Sequence, residues 1–353
     1  MILSFLLTIP CSRYFSAYSI CLNNLYPPSS RILIVKLLSP LLFFATTLSC
    51  LNLSAQLIDN TSTFREVQAK KYFRFHYDND FFTKTDYYYT QGITLEYVNP
   101  VIRKFPVTAV LFKPKNSTSK YGITFNLFGY TPTSIKSNTI LYGDRPFEGS
   151  MSVKLFTASS NNEKRIRIAS AISIGIIGPA ALGEEIQTNI HRWTGNKIPK
   201  GWQYQVKNDI ILNYQVNYEK ELFRLNNFML NSASELRAGT LHNRISSGFN
   251  FMAGHFTNRY QNGTKKKTEY YLYGQSRINV IGYDATMQGG LFNRKSPYTI
   301  ASADISRITF QADGGLVINF RKLFVSYNQS FLTREFKNGK HHRWAGLSIG
   351  FEF

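Results

Sequence analysis

The chain has 353 residues and carries 41 Lys and Arg against 21 Asp and Glu, for a formal net charge of +20. Hydrophobic residues make up 43% of the sequence and aromatic residues 15%, a composition that excludes an intrinsically disordered chain. No apolar run downstream of residue 55 is long enough for a transmembrane helix, so a helical membrane protein is not expected.

The first 55 residues have the layout of a secretory signal. No acidic residue occurs through Leu57, and from Arg31 onward the sequence is basic, then apolar over 37–48, then small and polar. We expect cleavage after Ala55, followed by an N-terminal linker over 56–69.

The three cysteines all lie in this leader, at Cys11, Cys21 and Cys50. Cys50 is an alternative lipoprotein acceptor. If the leader is removed, the exported chain has no cysteine, which excludes a disulfide scaffold, a thiolate nucleophile and a cysteine-based zinc site.

From Lys71 onward the dominant hydrophobic period is two. In the last segment Leu347, Ile349 and Phe351 share one face, whereas Ser348 and Gly350 lie on the other. The pattern predicts about twelve strands, near 70–80, 89–99, 120–130, 148–158, 164–177, 206–221, 225–239, 244–256, 268–282, 299–320, 322–336 and 341–353.

Two architectures accommodate twelve alternating strands. A soluble β-sandwich would turn the apolar faces inward. The secretory leader, the charged and small-residue second face, the aromatics near strand ends and the final Phe353 instead favour an antiparallel transmembrane β-barrel over residues 70–353.

The barrel assigns a side to each connection. With both ends of the barrel-forming chain in the periplasm, the loops after odd-numbered strands, 81–88, 131–147 and 178–205, lie on one extracellular rim. The opposite turns should be short, and 100–119 and 257–267 are longer than this expectation.

The first polar cluster spans two predicted strand ends. Asn79 and Asp80 end the first strand, and Thr90 begins the second after Thr85 and Asp86. The alternation turns Asp80 and Thr90 toward one pocket, although polar residues that only close a hairpin would give the same pattern.

The second cluster lies in the loop 131–147. Asp144 next to Arg145 predicts an ion pair that holds the loop in shape. Lys136 is a cation on the membrane-facing rim, suited to an anionic head group.

The third cluster predicts a short helix in an extracellular loop, over Glu184 to Trp193. Gln187 and His191 are four residues apart and therefore share a face of this helix. Since the other five histidines lie in or beside strands without an obvious polar partner, His191 is the candidate catalytic histidine.

Seven short motifs occur in an order that resembles the LpxR-type outer-membrane lipid A deacylases. The resemblance runs from about residue 70 to the C-terminus and includes Gln288-Gly-Gly and Thr333-Arg-Glu-Phe. The seven motifs are Asn79-Asp80, Tyr89-Thr90-x-Gly92, Tyr130-Thr-Pro, Gly143-Asp-Arg-Pro-Phe, Ile177-Gly-Pro, Gln187-x-x-x-His191 and Gly201-Trp202-x-x-Gln205.

The resemblance implies a twelve-stranded barrel that hydrolyses the 3′-linked acyloxyacyl ester of lipid A at the outer leaflet. It implies that His191 is the general base that activates water and that Lys136 binds substrate. The residues implied to surround His191 are Asn79, Asp80, Thr90 and Gln187. A calcium ion held by Asp80 is implied as cofactor, although Asn196 and Lys197 stand where the family has a further acidic residue.

The implied partners are lipopolysaccharide and the outer membrane. We expect a monomer and no nucleic-acid partner. Two other functions remain open: a non-catalytic barrel that forms an anion pore or binds a surface partner, and an outer-membrane phospholipase. A phospholipase would need a serine nucleophile, and Ser246 and Ser247 follow His242 closely.

Overall fold

Twelve antiparallel strands form a closed barrel in the computed structural model, which describes residues 60–83, 87–260 and 268–353. Each strand pairs with the next in sequence, and the last pairs with the first. The strands are β1 Tyr72–Asn79, β2 Tyr88–Val98, β3 Thr118–Thr131, β4 Glu148–Asn161, β5 Ile166–Ile177, β6 Asp209–Arg224, β7 Phe228–Gly239, β8 His242–His255, β9 Thr268–Asp284, β10 Ile308–Phe320, β11 Leu323–Leu332 and β12 His342–Glu352.

The apolar faces of the strands point outward, as a membrane-embedded barrel requires. On β12, Leu347 and Phe351 are about half exposed, whereas Ser348, between them, is 3% exposed and points into the lumen. The predicted transmembrane β-barrel is therefore confirmed, and the sandwich with inward apolar faces is wrong. Within the described residues, no helix combines the length and the apolar composition needed to cross a membrane.

The predicted strand ends lie within about four residues of the observed ones, apart from one start. The tenth strand was expected from residue 299 but begins at Ile308. The preceding residues form a rim loop instead, since Ile300 donates its backbone N–H to Met287 and the Arg307 guanidinium hydrogen-bonds the Ser302 carbonyl.

Within the part of the chain that the structure describes, two α-helices lie in loops, α1 at Gly183–Thr194 and α2 at Ala285–Gln288. The predicted extracellular-loop helix over 184–193 is confirmed as α1. The short α2 was not anticipated. Asp284 caps it by accepting a hydrogen bond from the Thr286 backbone N–H at 2.9 Å.

The barrel has two distinct ends. Since the strands alternate in direction, the connections after odd-numbered strands all lie at one end, here called the loop end. The start of β1 and the end of β12 lie at the other, the terminal end. Predicted features outside the described residues are the leader 1–55, the first part of the linker, the Thr85-Asp86 pair and the turn at 261–267.

Residues 60–69, here called the plug segment, lie inside the barrel rather than along it. Nine of these ten residues are buried. Their partners belong to strands on different sides of the barrel, so the segment crosses the lumen. These bonds join the Thr63 N–H to Glu219 on β6, Arg65 to Tyr273 on β9, the Arg65 carbonyl to Arg74 on β1, and the Thr61 carbonyl to Arg167 on β5.

The charges around the plug segment are paired. Glu66 accepts from Lys120 at 2.7 Å and from Arg167 at 2.8 Å. Burial raises the pKa of Glu66, but these two cations outweigh it and hold the pKa at about 2. Arg74 pairs with Glu96 at 2.6 Å nearby. The lumen at this level is therefore filled by a neutralised polar network.

Candidate active site at the loop end

Helix α1 carries the predicted catalytic histidine. Glu184 and Glu185 lie in its first turn and His191 and Arg192 in its last, a distribution that favours the helix dipole. Gly195, with φ +70°, ends the helix and directs its N–H to the final carbonyls. The sequence therefore specifies both helix ends and places His191 one turn before the C-terminus.

The start of α1 approaches the wall through two glycines. A Cβ atom at Gly149 on β4 would lie 3.2 Å from the Gly183 Cα, and one at Gly183 would lie 2.8 Å from the Trp202 ring. Because glycine has no side chain, the helix backbone contacts the strand and the indole directly.

Gln187 anchors α1 over the barrel. Its side chain is 2% exposed. Its Nε2 donates to Thr90 Oγ1 on β2 at 2.8 Å, and its Oε1 accepts from Trp202 Nε1 at 2.7 Å. Since an indole N–H can only donate, Trp202 fixes which end of the amide faces Thr90. The structure thus brings together two of the predicted site residues, Gln187 and Thr90.

His191 is held by a backbone carbonyl. Its Nδ1 lies 2.6 Å from the Lys197 carbonyl oxygen. A carbonyl only accepts, so Nδ1 carries the hydrogen, and in the neutral imidazole Nε2 has the lone pair. The ring is therefore in the tautomer that a base acting through Nε2 needs.

Lys136 lies beside the backbone segment that follows α1 and includes Lys197. The Lys200 N–H donates to the Ile135 carbonyl at 2.9 Å, which joins the loop 132–147 to the segment after α1. Lys136 can donate a hydrogen bond to the Lys197 amine, and its positive charge opposes a second one nearby. Both effects lower the pKa of Lys197. The two lysine side chains therefore lie next to each other at the exposed rim, and the Lys197 carbonyl is the one that contacts His191.

Asn79 and Asp80 lie at the end of β1. The Asn79 side chain accepts from the Phe81 N–H at 2.7 Å and donates to Tyr77 Oη at 3.1 Å, so it caps the following 3₁₀ turn, Asp80–Thr83. Asp80 is buried within that turn. Thr83 fixes the turn to β12 through the Arg343 carbonyl at 2.9 Å.

The prediction of an ion pair between Asp144 and Arg145 is wrong. The Arg145 guanidinium instead pairs with Glu335 in the β11–β12 loop and lies 3.8 Å over the Tyr130 ring. Asp144 accepts from the Thr133 hydroxyl and N–H at 2.6 and 2.8 Å. Adjacent side chains in this turn diverge, so each stabilises a different part of the rim.

Sequence reasoning missed two histidine–aspartate pairs, of which one is buried and the other is partly exposed. His76 lies between Asp78, 2.5 Å from its Nε2, and Ser348, 2.7 Å from its Nδ1. His242 Nδ1 lies 3.5 Å from Asp284. His76 and Asp78 are two residues apart, so both lie on the luminal face of β1. This spacing is the feature of the sequence that could have indicated the pair. Ser348 is 3% exposed, which suits a structural network.

The implied calcium ion can be compared with the available donors. Among residues 60–83, 87–260 and 268–353, no group of three or more His, Cys, Asp or Glu side chains could hold a metal ion. Calcium requires six to eight oxygen ligands, several of them usually carboxylates. Asp80 has a carboxylate of the kind that calcium binds, and the described side chains do not make up a complete carboxylate-rich site around it.

Known proteins resemble the chain at the level of family and fold. The model of a family described as "Outer membrane protein LpxR" matches residues 41–353. The structure of LpxR from Salmonella typhimurium is 19% identical, with a TM-score of 0.64 over 80% of this chain and 100% of that one. No curated protein matches the chain.

Two other structures are more distant. The β domain of the Bordetella autotransporter BrkA is 6% identical, with a TM-score of 0.40 over 81% of this chain and 100% of that one. The Pseudomonas putida toluene transporter TodX is 8% identical, with a TM-score of 0.36 over 86% of this chain and 95% of that one. With a family match across most of its length and the same barrel fold, the chain belongs to the LpxR outer membrane protein family.

Proposed function

We propose that this outer-membrane protein is a lipid A deacylase that hydrolyses the 3′-linked acyloxyacyl ester with water activated by His191. The observation that carries the proposal is the geometry of α1. This helix presents His191 at the loop end with Nδ1 held by a carbonyl, while Gln187, one turn earlier, fixes the helix to Thr90.

The imidazole supplies the base. With its hydrogen on Nδ1, neutral His191 removes a proton from water through Nε2 as the water attacks the ester carbonyl, and the resulting imidazolium protonates the departing alkoxide. The Lys197 carbonyl accepts from Nδ1 in both protonation states. It therefore orients the ring throughout the reaction.

The oxyanion needs donors that are already in place. Thr90 Oγ1 accepts from Gln187, so the hydroxyl hydrogen of Thr90 is available to donate to a developing negative charge. Trp202 keeps the Gln187 amide in the orientation that produces this arrangement. Asn79 and Asp80 complete the proposed site by shaping the β1–β2 rim beside it.

The rim cations suit the substrate. Lipid A carries phosphate groups, and the adjacent lysines Lys136 and Lys197 offer two ammonium groups to such an anion. We assign substrate binding to Lys136, with the substrate entering from the lipid surface beside the loop end. The protein is proposed to act as a monomer.

Calcium remains a prediction with Asp80 as its oxygen ligand. When bound, the ion would stabilise negative charge on the ester oxygen. The steps above use only side chains and backbone of this chain. A chelator added to the deacylase assay tests the requirement, and undiminished activity in its presence would remove calcium from the proposal.

The alternatives are less well supported. The plug segment crosses the lumen and is joined to several strands, which disfavours an open anion pore. For a phospholipase, Ser246 lies four residues from His242 on one strand, about 13 Å away at strand spacing. That distance is too long for the serine to be activated by this histidine.

Mass spectrometry of lipid A from cells that express the wild type or a variant tests the proposal. The wild type should remove the 3′-linked acyloxyacyl group, and His191→Ala should lower the rate by about 10²–10⁴-fold. His255→Ala, at the opposite end of the barrel, is the matched control and should remain active. Unchanged lipid A with the wild type would contradict the enzymatic function.

A further inference from the structure

The connection between β2 and β3, residues 99–117, folds onto the outside of the barrel. It contains two 3₁₀ turns, Pro100–Lys104 and Pro106–Val110, which pack against β3 and β4. Tyr214 Oη on β6 donates to the Val110 carbonyl at 2.8 Å and accepts from the Phe112 N–H at 3.0 Å. We call residues 100–113 the wall segment.

The contacts of the wall segment lie on the lipid-facing side of the strands. On β6, Asn217 and Glu219 reach the plug segment, so Tyr214, of opposite parity, points outward. On β5, Arg167 faces the plug segment and Ser170 points outward, where its hydroxyl donates to the Phe112 carbonyl at 2.7 Å. The segment therefore covers the outer wall at the terminal half of the barrel.

The wall segment covers hydroxyls that a lipid face would otherwise expose. Thr157 and Ser159 on β4 have outward parity but are fully buried, and Ser170 is 1% exposed. A hydroxyl in hydrocarbon without a partner is costly. These three outward positions on β4 and β5 are polar, and the wall segment covers them. We therefore expect the segment to remain in contact with the strands.

The backbone of the wall segment is adapted to an apolar environment. Pro100 and Pro106, and Pro114 directly after the segment, have no N–H to satisfy. The N–H groups at the turn ends all have acceptors: Val101 and Ile102 donate to Asn99, Phe105 to Ile102, Thr108 to Phe105, and Leu111 to Thr108. Because irregular backbone does not occur exposed within the hydrocarbon core, these satisfied N–H groups suit a position at its boundary.

The free surface of the wall segment is apolar. Five side chains are 45–56% exposed although Ile102 and Leu111 beside them are buried; the exposed ones are Val101, Phe105, Val107, Val110 and Phe112. These residues continue the apolar outer face of the strands. An exposed patch of this kind, next to a lipid-facing wall, indicates contact with the bilayer.

The charges at the wall segment have one sign. Arg103, Lys104, Lys113 and Lys115 lie in or beside it, and residues 99–117 contain no Asp or Glu. Basic residues that flank exposed aromatic and aliphatic side chains are typical of segments in the head-group region of anionic membranes.

We propose that the wall segment is a lipid-binding element of the barrel. Its apolar side chains enter the acyl-chain boundary of the leaflet at the terminal end, and its basic side chains bind the phosphates of anionic glycerophospholipids. It thereby extends the membrane contact of β3–β6 beyond the strands. This inference does not depend on the proposed deacylase activity.

The test is depth-dependent quenching of a single added tryptophan in the folded full chain in phosphatidylcholine vesicles. Phe105→Trp and, in the second turn, Val110→Trp each report on the segment, and the wild-type spectrum is subtracted. Tyr142→Trp is the control, since Tyr142 is 78% exposed in a rim loop. The added tryptophans at 105 and 110 should be blue-shifted and quenched by brominated acyl chains, and the control by aqueous iodide.

The anionic preference is tested with phosphatidylglycerol. Adding this lipid should strengthen bromine quenching at 105, and the combined changes Arg103→Gln, Lys104→Gln and Lys115→Gln should abolish the increase. Iodide quenching at both 105 and 110 in folded protein would overturn the proposal, since it would leave the segment in water or open to a protein partner. His191→Ala should give the same quenching as the wild type.

Discussion

The lumen around the plug segment and the rim around α1 use charge in opposite ways. In the lumen, Arg74 and Arg167 each meet a carboxylate within 3 Å and are nearly fully buried. At the rim, Lys136 and Lys197 lie beside each other at the exposed surface. A buried ion must be neutralised within the fold, whereas an exposed pair of like charges is suited to an anion from outside.

Breaking the luminal network should have the largest effect. Glu66→Gln leaves the buried Arg167 and the partly buried Lys120 without their shared carboxylate, and we expect a loss of about 3–5 kcal/mol in the free energy of unfolding. Denaturant unfolding in detergent measures it. Glu184→Gln, an exposed position in the first turn of α1, is the control and should change stability by less than about 1 kcal/mol.

The acid sensitivity of the barrel should follow from the same carboxylate. Because the cations lower the pKa of Glu66 from 4.5 to about 2, its contribution is present above pH 4.5 and is lost as the pH falls toward 2. The shift corresponds to about 3 kcal/mol. Unfolding measured between these pH values should be steeper for the wild type than for Glu66→Gln; parallel curves would contradict the assignment.

At the rim, Trp202→Phe should impair deacylation without unfolding the protein. The variant keeps the ring but loses the N–H that orients the Gln187 amide, so kcat should fall about tenfold while KM changes little. Trp193→Phe is the matched control, since Trp193 is 88% exposed. Equal activity of the two variants would mean that the indole N–H has no positioning role.

Lys197→Gln should have the smallest effect of the four. Removing one of two adjacent ammonium groups should raise KM for lipid A several-fold at low ionic strength, and salt should reduce the difference. Lys295→Gln, at an exposed position in the β9–β10 loop, serves as control. The same KM change in both variants would indicate general attraction to a positive rim rather than a local phosphate contact.

Periodicity in the sequence predicted most of the fold because membrane and lumen impose opposite chemistry on alternate residues. The twelve strands follow from it, and the four-residue spacing of Gln187 and His191 predicted their shared face on α1. Periodicity does not predict which residues fill the interior of the barrel. The plug segment has no period of its own, and its position depends on residues such as Glu219 and Tyr273, more than 150 residues away in sequence.

Within the candidate site, sequence spacing identified neighbours on one element but not partners across loops. The Gln187–Thr90 bond joins a helix to a strand 97 residues earlier, and only the family resemblance grouped them. Arg145 was assigned to the adjacent Asp144, but its partner is Glu335, 190 residues away. Local proximity was therefore a poor guide where several rim loops converge.

The plug segment constrains the order in which the molecule assembles. It precedes β1, and its partners extend around the wall from β1 through β5 and β6 to β9. The barrel wall is closed when β12 pairs with β1. Its bonds to β5, β6 and β9 require these strands to be in place, so the plug segment acquires its luminal contacts late in assembly. Because it joins β1 at the terminal end, it can enter the closed barrel from that end.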